Sequence, residues 1–133
     1  MKVDNNIEYL TDTSCWMEYH NNTDIGKKIK KIIKDGKRYT PTAVIGELRN
    51  NIRNDKFFAI KATVLTESET IHCDDNISEF AGQLRKDKPG GTRISWVDYI
   101  IVATAKVRGL TVCSTDHHFD HFKGIIDVKI FEK

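Results

Sequence analysis

The chain has 133 residues, 39% of them hydrophobic and 30% charged, with a formal net charge of +2. That length suits one domain with a core of its own and argues against a second folding unit, while the balance of apolar and charged residues excludes extensive disorder. No apolar run is long enough to span a bilayer, and the polar start MKVDNNIE lacks the apolar stretch of a signal peptide, so the expectation is a single cytoplasmic domain over 1–133 with no membrane contact.

Residues 8 to 15, EYLTDTSC, read as a first strand ending in polar residues. The next segment reads as a helix because Ile25, Ile29, Ile32 and Ile33 fall on one face and lysines cover the other. Around Tyr39 a brief strand is expected to give way to Thr40 as N-cap and Pro41 at the first helical position, after which Val44, Ile45, Leu48 and Ile52 repeat at helical spacing. A further helix is expected from Asp55 to Thr66, with Phe57, Phe58, Val64 and Leu65 available to the core. ETIHC at 69–73 reads as a strand, and the helix after it opens with Asn76 and Glu79 in a capping-box arrangement before Ile77, Phe80, Ala81 and Leu84 mark a buried face. KDKPGGTR at 86–93 reads as a loop. A long helix follows from about Trp96 to Arg108, ended by Gly109, then the strand LTVCSTD and a last strand near IDVKIF. Strands alternating with helices imply an α/β fold with a mostly parallel sheet covered on both faces.

Asp12 and Asp116 fall at the carboxyl ends of two of these strands, where ligands of open parallel sheets bind, above all at the point where the strand order reverses. If the order is 3-2-1-4-5, strands one and four are neighbours there, and Asp12 and Asp116 face each other. Glu47 and Asp98 lie in the first turns of helices that start at the same end, so all four acids can converge. Gathered carboxylates repel one another unless a cation offsets them. With no cysteine or histidine set at ligand spacing beside them, a hard ion, Mg²⁺ or Mn²⁺, is the fitting partner, and such an ion can activate water against a phosphodiester. Setting aside the four negative charges of these acids turns the net +2 into +6 on the rest of the chain, a basic body around one acidic spot, which suits a polyanionic substrate such as RNA. Each acid also has a structural reading: Asp98 stands three residues after Ser95 in a capping-box pattern, Glu47 can be a solvated helix residue, and Asp12 and Asp116 can close turns.

These segments resemble the PIN-domain ribonucleases. LTDTSCW is similar to that family's opening motif, in which an aspartate followed by small hydroxyl residues supplies the first metal ligand, and Asp12 and Ser14 match it. TPTAVIGEL resembles the second motif, with Glu47 on the metal-site glutamate, and SWVDYIIVATAKVRGLTVCSTDHHF resembles the third and fourth, placing Asp98 and Asp116 on the remaining acids and Ser114 on a supporting hydroxyl. The resemblance covers most of the chain. It implies a three-layer α/β/α sandwich with a five-stranded sheet in the order 3-2-1-4-5, dependence on Mg²⁺ or Mn²⁺, cleavage of single-stranded RNA and a homodimer. It also implies similarity to the toxin nucleases of VapBC toxin–antitoxin systems, held in check by an antitoxin protein. One departure stands out: many members carry a further aspartate two residues past the fourth acid, where this chain has His118, leaving Asp120 as a nearby supporting acid.

Other features are weighed against plainer readings. Cys15, Cys73 and Cys113 are widely spaced and odd in number, which suits free buried thiols. The run GKKIKKIIKDGKR is either a face that tracks an RNA backbone or a solvated helix surface. His117 and His121, four apart, are either metal ligands on a helix or loop residues. Lys88 and Pro89 resemble the lysine–proline pair of receiver domains but precede the penultimate strand, where such domains carry the pair after the final one. Two rival functions therefore stand beside the nuclease: a catalytically weak RNA-binding domain and a receiver-like signalling domain.

Overall fold

Tyr9, Leu10 and Thr11 are all buried, because β1 (Glu8–Thr11) has a strand on each edge and helices over each face. β2 (Lys37–Pro41) runs parallel to it on one side, with Leu10 opposite Tyr39, and β4 (Thr111–Ser114) on the other, with Leu10 opposite Val112. β3 (Glu69–Ile71) and β5 (Val128–Ile130) add parallel strands outside these, giving the expected order 3-2-1-4-5. The structure, a computed structural model, describes residues 7–34 and 36–132 apart from the side chain of Ile33. The polar start and the place of Ile33 on an apolar face lie outside the described residues.

Successive strand residues leave opposite faces, and the two cores divide accordingly. Tyr9 and Cys113 join Ile25 and Ile29 of α2 (Asp24–Ile33) in the smaller core, which also holds Cys15 and Phe131. Leu10 and Val112 join the larger one, with apolar residues of α3 (Thr42–Asn51), α4 (Asn54–Glu67), α5 (Asp75–Asp87) and α6 (Trp96–Arg108). α1 (Thr13–Asn21) reaches both, since its Cys15 packs in the smaller core and its Trp16 in the larger. α6 begins with the expected capping box and ends at Gly109, whose φ of 68° is left-handed and favours glycine.

Several boundaries differ from the sequence expectation for local reasons. β1 stops at Thr11, and Ser14 and Cys15 are helical, because Asp12 caps α1 in place of extending the strand. Thr40 remains in β2 and Pro41 is the N-cap, so α3 starts at Thr42 and Ile52 lies just past its end. β3 closes at Ile71, and Asp74 caps α5 by accepting from Ile77 N at 2.9 Å, two residues before the cap expected at Asn76. In α4 the buried residues are Phe57, Ile60 and Val64; Phe58 and Leu65, expected in the core, are 62% and 50% exposed because they project from the opposite side of the helix. Cys73 is exposed, whereas Cys15 and Cys113 are buried free thiols as expected.

A polar chain that starts in the core and ends at the half-buried Ser68 ties the first helix to the sheet. Trp16 Nε1 donates to Thr40 Oγ1 at 3.0 Å, Thr40 donates onward to Ser68 Oγ at 2.8 Å, and Ser68 Oγ donates to Val64 O at 2.7 Å. Each hydroxyl thus accepts one proton and gives one. Thr40→Val keeps the shape but leaves the fully buried Trp16 N–H without an acceptor, and should destabilise the fold by about 1–3 kcal/mol. Urea unfolding checks this, the expected result being a lower midpoint with an unchanged slope.

Candidate active site

Asp12 directly follows β1 at the carboxyl edge of the sheet, as the N-cap of α1, and is 4% exposed. Its Oδ1 accepts from Cys15 N at 3.0 Å and Ser14 Oγ at 2.8 Å, and its Oδ2 from Ser114 Oγ at 2.6 Å. The same two serines accept backbone N–H groups from beyond β4: Thr115 N reaches Ser14 Oγ at 3.1 Å and Asp116 N reaches Ser114 Oγ at 3.0 Å. Because each serine has its single proton directed at Asp12, the 3.4 Å approach of the two hydroxyls is a contact between oxygens already satisfied elsewhere. The effect is a latch between the ends of β1 and β4. Burial raises the Asp12 carboxyl to about 6, against the opposing pull of the bonds from Ser114, Cys15 and Ser14.

The other acids are held by one oxygen each. Asp98, at the third position of α6, accepts Ser95 N on Oδ2 at 2.9 Å and returns the capping box by donating its own N–H to Ser95 Oγ at 3.2 Å. Asp116 opens the 3₁₀ turn at His117–Phe122, and its Oδ1 accepts His118 N at 3.1 Å. Glu47, in the second turn of α3, accepts Thr13 Oγ1 on Oε1 at 2.6 Å. Asp98 Oδ1, Asp116 Oδ2 and Glu47 Oε2 are uncommitted among the described residues. Capping and a site role are therefore compatible, since the cap uses one oxygen and leaves the other.

His118 lies between two of these acids. Its Nδ1 is 2.6 Å from Asp116 Oδ1 and its Nε2 is 3.2 Å from Asp98 Oδ2, the second being an ion pair by distance without hydrogen-bond alignment. The Asp98 carboxylate, with Asp116 behind it, outweighs partial burial and pushes the imidazole up to about 8, so the imidazolium prevails at neutral pH. A cation thus stands in the acid cluster.

All four predicted acids line one pocket of about 220 Å³, together with Thr13, Ser14, Ile101 and His118. Ser114 sits beneath it through Asp12, whereas Asp120 is directed elsewhere, its Oδ2 at 3.1 Å from His117 and its Oδ1 at 2.9 Å from Lys123. His117 is further paired with Glu132 at 2.6 Å, and His121 Nε2 meets Lys88 O at 3.2 Å, so these two histidines serve separate contacts. Thr13 is a site residue that sequence reasoning misses, although its place directly after Asp12 is a signal; the role of His118 requires the fold. The donor set is all oxygen apart from His118, which matches a hard divalent ion, and a buried carboxylate with a raised pKa calls for positive charge. Among the described residues no three acidic, histidine or cysteine side chains stand close enough around one point to enclose an ion as they are, and His118 lies between Asp98 and Asp116.

A carboxyl that titrates higher in the folded chain than in the unfolded one contributes stability below its unfolded value, and that contribution is lost as pH rises through about 6. At pH 7 the metal-free protein carries the cost of a buried carboxylate, which Asp12→Asn removes. In excess EDTA this variant should be more stable than the wild type by about 1–3 kcal/mol at pH 7, less whatever the amide loses in facing a serine hydroxyl. The difference should shrink toward pH 4. Denaturant unfolding across that range decides, and a difference independent of pH would show that Asp12 does not titrate as described.

Among solved structures the fold is similar to VapBC2 from Rickettsia felis bound to a DNA fragment from its promoter, at 15% identity and a TM-score of 0.78 over 95% of this chain and 100% of that one. It is also similar to VapBC-5 from Mycobacterium tuberculosis, a member of the VapBC family of toxin–antitoxin systems, at 24% identity and a TM-score of 0.66 over 95% and 98%. VapC20 of the same organism, a toxin that cleaves the sarcin-ricin loop, matches at 20% identity and a TM-score of 0.63 over 78% and 86%. No curated protein sequence matches significantly. The model of the PIN domain matches residues 9–125, a span that contains all four acids, and the chain belongs to the PIN domain family.

Proposed function

We propose that this protein is a divalent-metal-dependent endoribonuclease that hydrolyses phosphodiester bonds of single-stranded RNA, acting in the cytoplasm as a homodimeric toxin restrained by an antitoxin protein. The observation that carries the reading is the convergence of Asp12, Glu47, Asp98 and Asp116, from four separate elements, on one pocket at the carboxyl end of the sheet. Membership of the PIN family supports the nuclease, the sarcin-ricin loop cleavage described for VapC20 supports an RNA substrate, and the toxin–antitoxin assemblies among the similar structures support the partner.

A bound Mg²⁺ or Mn²⁺ would supply an acidified water and neutralise charge on the phosphoryl oxygens. The chain's own residues would do the rest. Asp98, Asp116 and Glu47 would offer the uncommitted oxygens and Asp12 its remaining lone pairs, while Ser14, Ser114, Thr13 and the Ser95 N–H fix those carboxylates so that little order is lost on binding. A metal shared by Asp98 and Asp116 would require His118 to give way. A second reading, RNA binding without efficient cleavage, is favoured by that same His118, which already supplies these two acids with a counter-charge.

Cleavage of a labelled single-stranded RNA in Mn²⁺ and in excess EDTA separates the two readings. The nuclease reading expects cleavage that the chelator abolishes, and Asp98→Asn should lower it at least a hundredfold, in keeping with loss of a metal-site carboxylate. The amide still accepts the Ser95 N–H, so the variant should lose no more than about 1 kcal/mol of stability. Full activity in EDTA would overturn metal dependence, and binding without cleavage in Mn²⁺ would favour the second reading.

A further inference from the structure

Next to the acid pocket is a second one of about 390 Å³, lined by Arg93, Asp116, His117 and His118; the two pockets share Asp116 and His118. Arg93 is exposed and, among the described residues, makes no hydrogen bond, ion pair or ring contact. Its segment is nonetheless fixed. The buried Tyr99 hydroxyl accepts Gly90 N at 2.8 Å and donates to Lys88 O at 3.1 Å, and the neighbouring Ile94 is 4% exposed. Gly90 lies so close to Ile94 that a Cβ there would meet Ile94 Cγ1 at 2.1 Å, so the loop is packed down on its own apolar anchor. Tyr99 adjoins Asp98 in α6, which couples the loop directly to the element bearing one of the four acids.

A guanidinium held without a partner on a clamped loop, at the edge of a pocket that repels anions, has the form of a phosphate anchor. The acids exclude a polyanion unless charge beside them draws it in, and a planar guanidinium can grip phosphate oxygens with two parallel hydrogen bonds. We infer that Arg93 binds the RNA phosphate flanking the scissile one, on the side of His117 and His118, and so positions the strand across the acid pocket. This rests on the ribonuclease reading. The chemistry is sequence-independent, since a phosphate contact fixes register and leaves base choice to other groups.

The test compares wild type, Arg93→Gln and Arg93→Lys on a single-stranded RNA oligonucleotide. Arg93→Gln should raise KM about tenfold, the size expected of a lost charged hydrogen bond, with kcat nearly unchanged, and Arg93→Lys should recover part of the loss. In excess EDTA, fluorescence anisotropy should show weaker binding whose dependence on log salt falls by about 0.7 in slope, one phosphate contact fewer. Oligonucleotides with one uncharged methylphosphonate linkage, moved along the strand, should reveal a position that weakens binding to the wild type and not to Arg93→Gln. If both proteins cleave with equal KM, equal salt slope and the same linkage sensitivity, Arg93 has no such role and the nuclease reading stands. If the wild type neither binds nor cleaves single-stranded RNA, both fall together.

Discussion

Asp12 is a carboxylate placed where the fold gives it almost no water, at the junction of the two central strands, and the rest of the site is arranged around that constraint. Burying a charged group is costly unless hydrogen bonds or an opposite charge compensate. Ser14 and Ser114 answer the first need by each donating to Asp12 while accepting a backbone N–H beyond β4, which locks the strand ends in register. They do not supply charge. The carboxyl therefore remains raised to about 6, and the site retains an electrostatic demand that a cation would meet.

The remaining acids show how one side chain can serve both folding and chemistry. Asp98 completes a capping box with a single oxygen, and Asp116 caps its turn in the same manner. Neither contact consumes the whole carboxylate. His118 meets part of the charge demand from within the chain by standing between Asp98 and Asp116, the position at which this sequence departs from the further aspartate of many PIN-domain ribonucleases. If the site takes up a metal as proposed, that imidazolium is the resident counter-ion of the metal-free protein, and its displacement is part of what metal binding must accomplish.

The parallel sheet covered by helices is legible in the sequence because strands alternate with helices along the chain, and the acids are legible as residues at strand ends or in first helical turns; the order 3-2-1-4-5, on which their convergence depends, is implied by the resemblance to the PIN-domain ribonucleases. The Ser95–Asp98 box and Gly109 place α6 to the residue. Legibility fails where two local choices are nearly equal in energy. Asp74 and Asn76 are both good caps, and the structure takes the earlier. Phe58 and Leu65 carry the right chemistry for a core but stand on the wrong side of α4, a distinction that weak periodicity in that segment hides. Asp120 is close to the fourth acid in sequence, yet the 3₁₀ turn directs it to His117 and Lys123. The bridging by His118 depends on Asp98 and Asp116 coming together from α6 and the end of β4, a relation that no spacing along the chain expresses.

Whether the four acids form one cation-holding centre is tested most directly by thermal unfolding under Mn²⁺ titration. An ion that binds only the folded chain stabilises it by about 2.7 kcal/mol at a hundredfold excess over its dissociation constant. The wild type should therefore show an upward shift in Tm that saturates with Mn²⁺, and both Asp12→Asn and Asp116→Asn should show a reduced shift. An undiminished shift in both variants would mean that the ion binds elsewhere, and no shift in the wild type would mean that this pocket holds no metal.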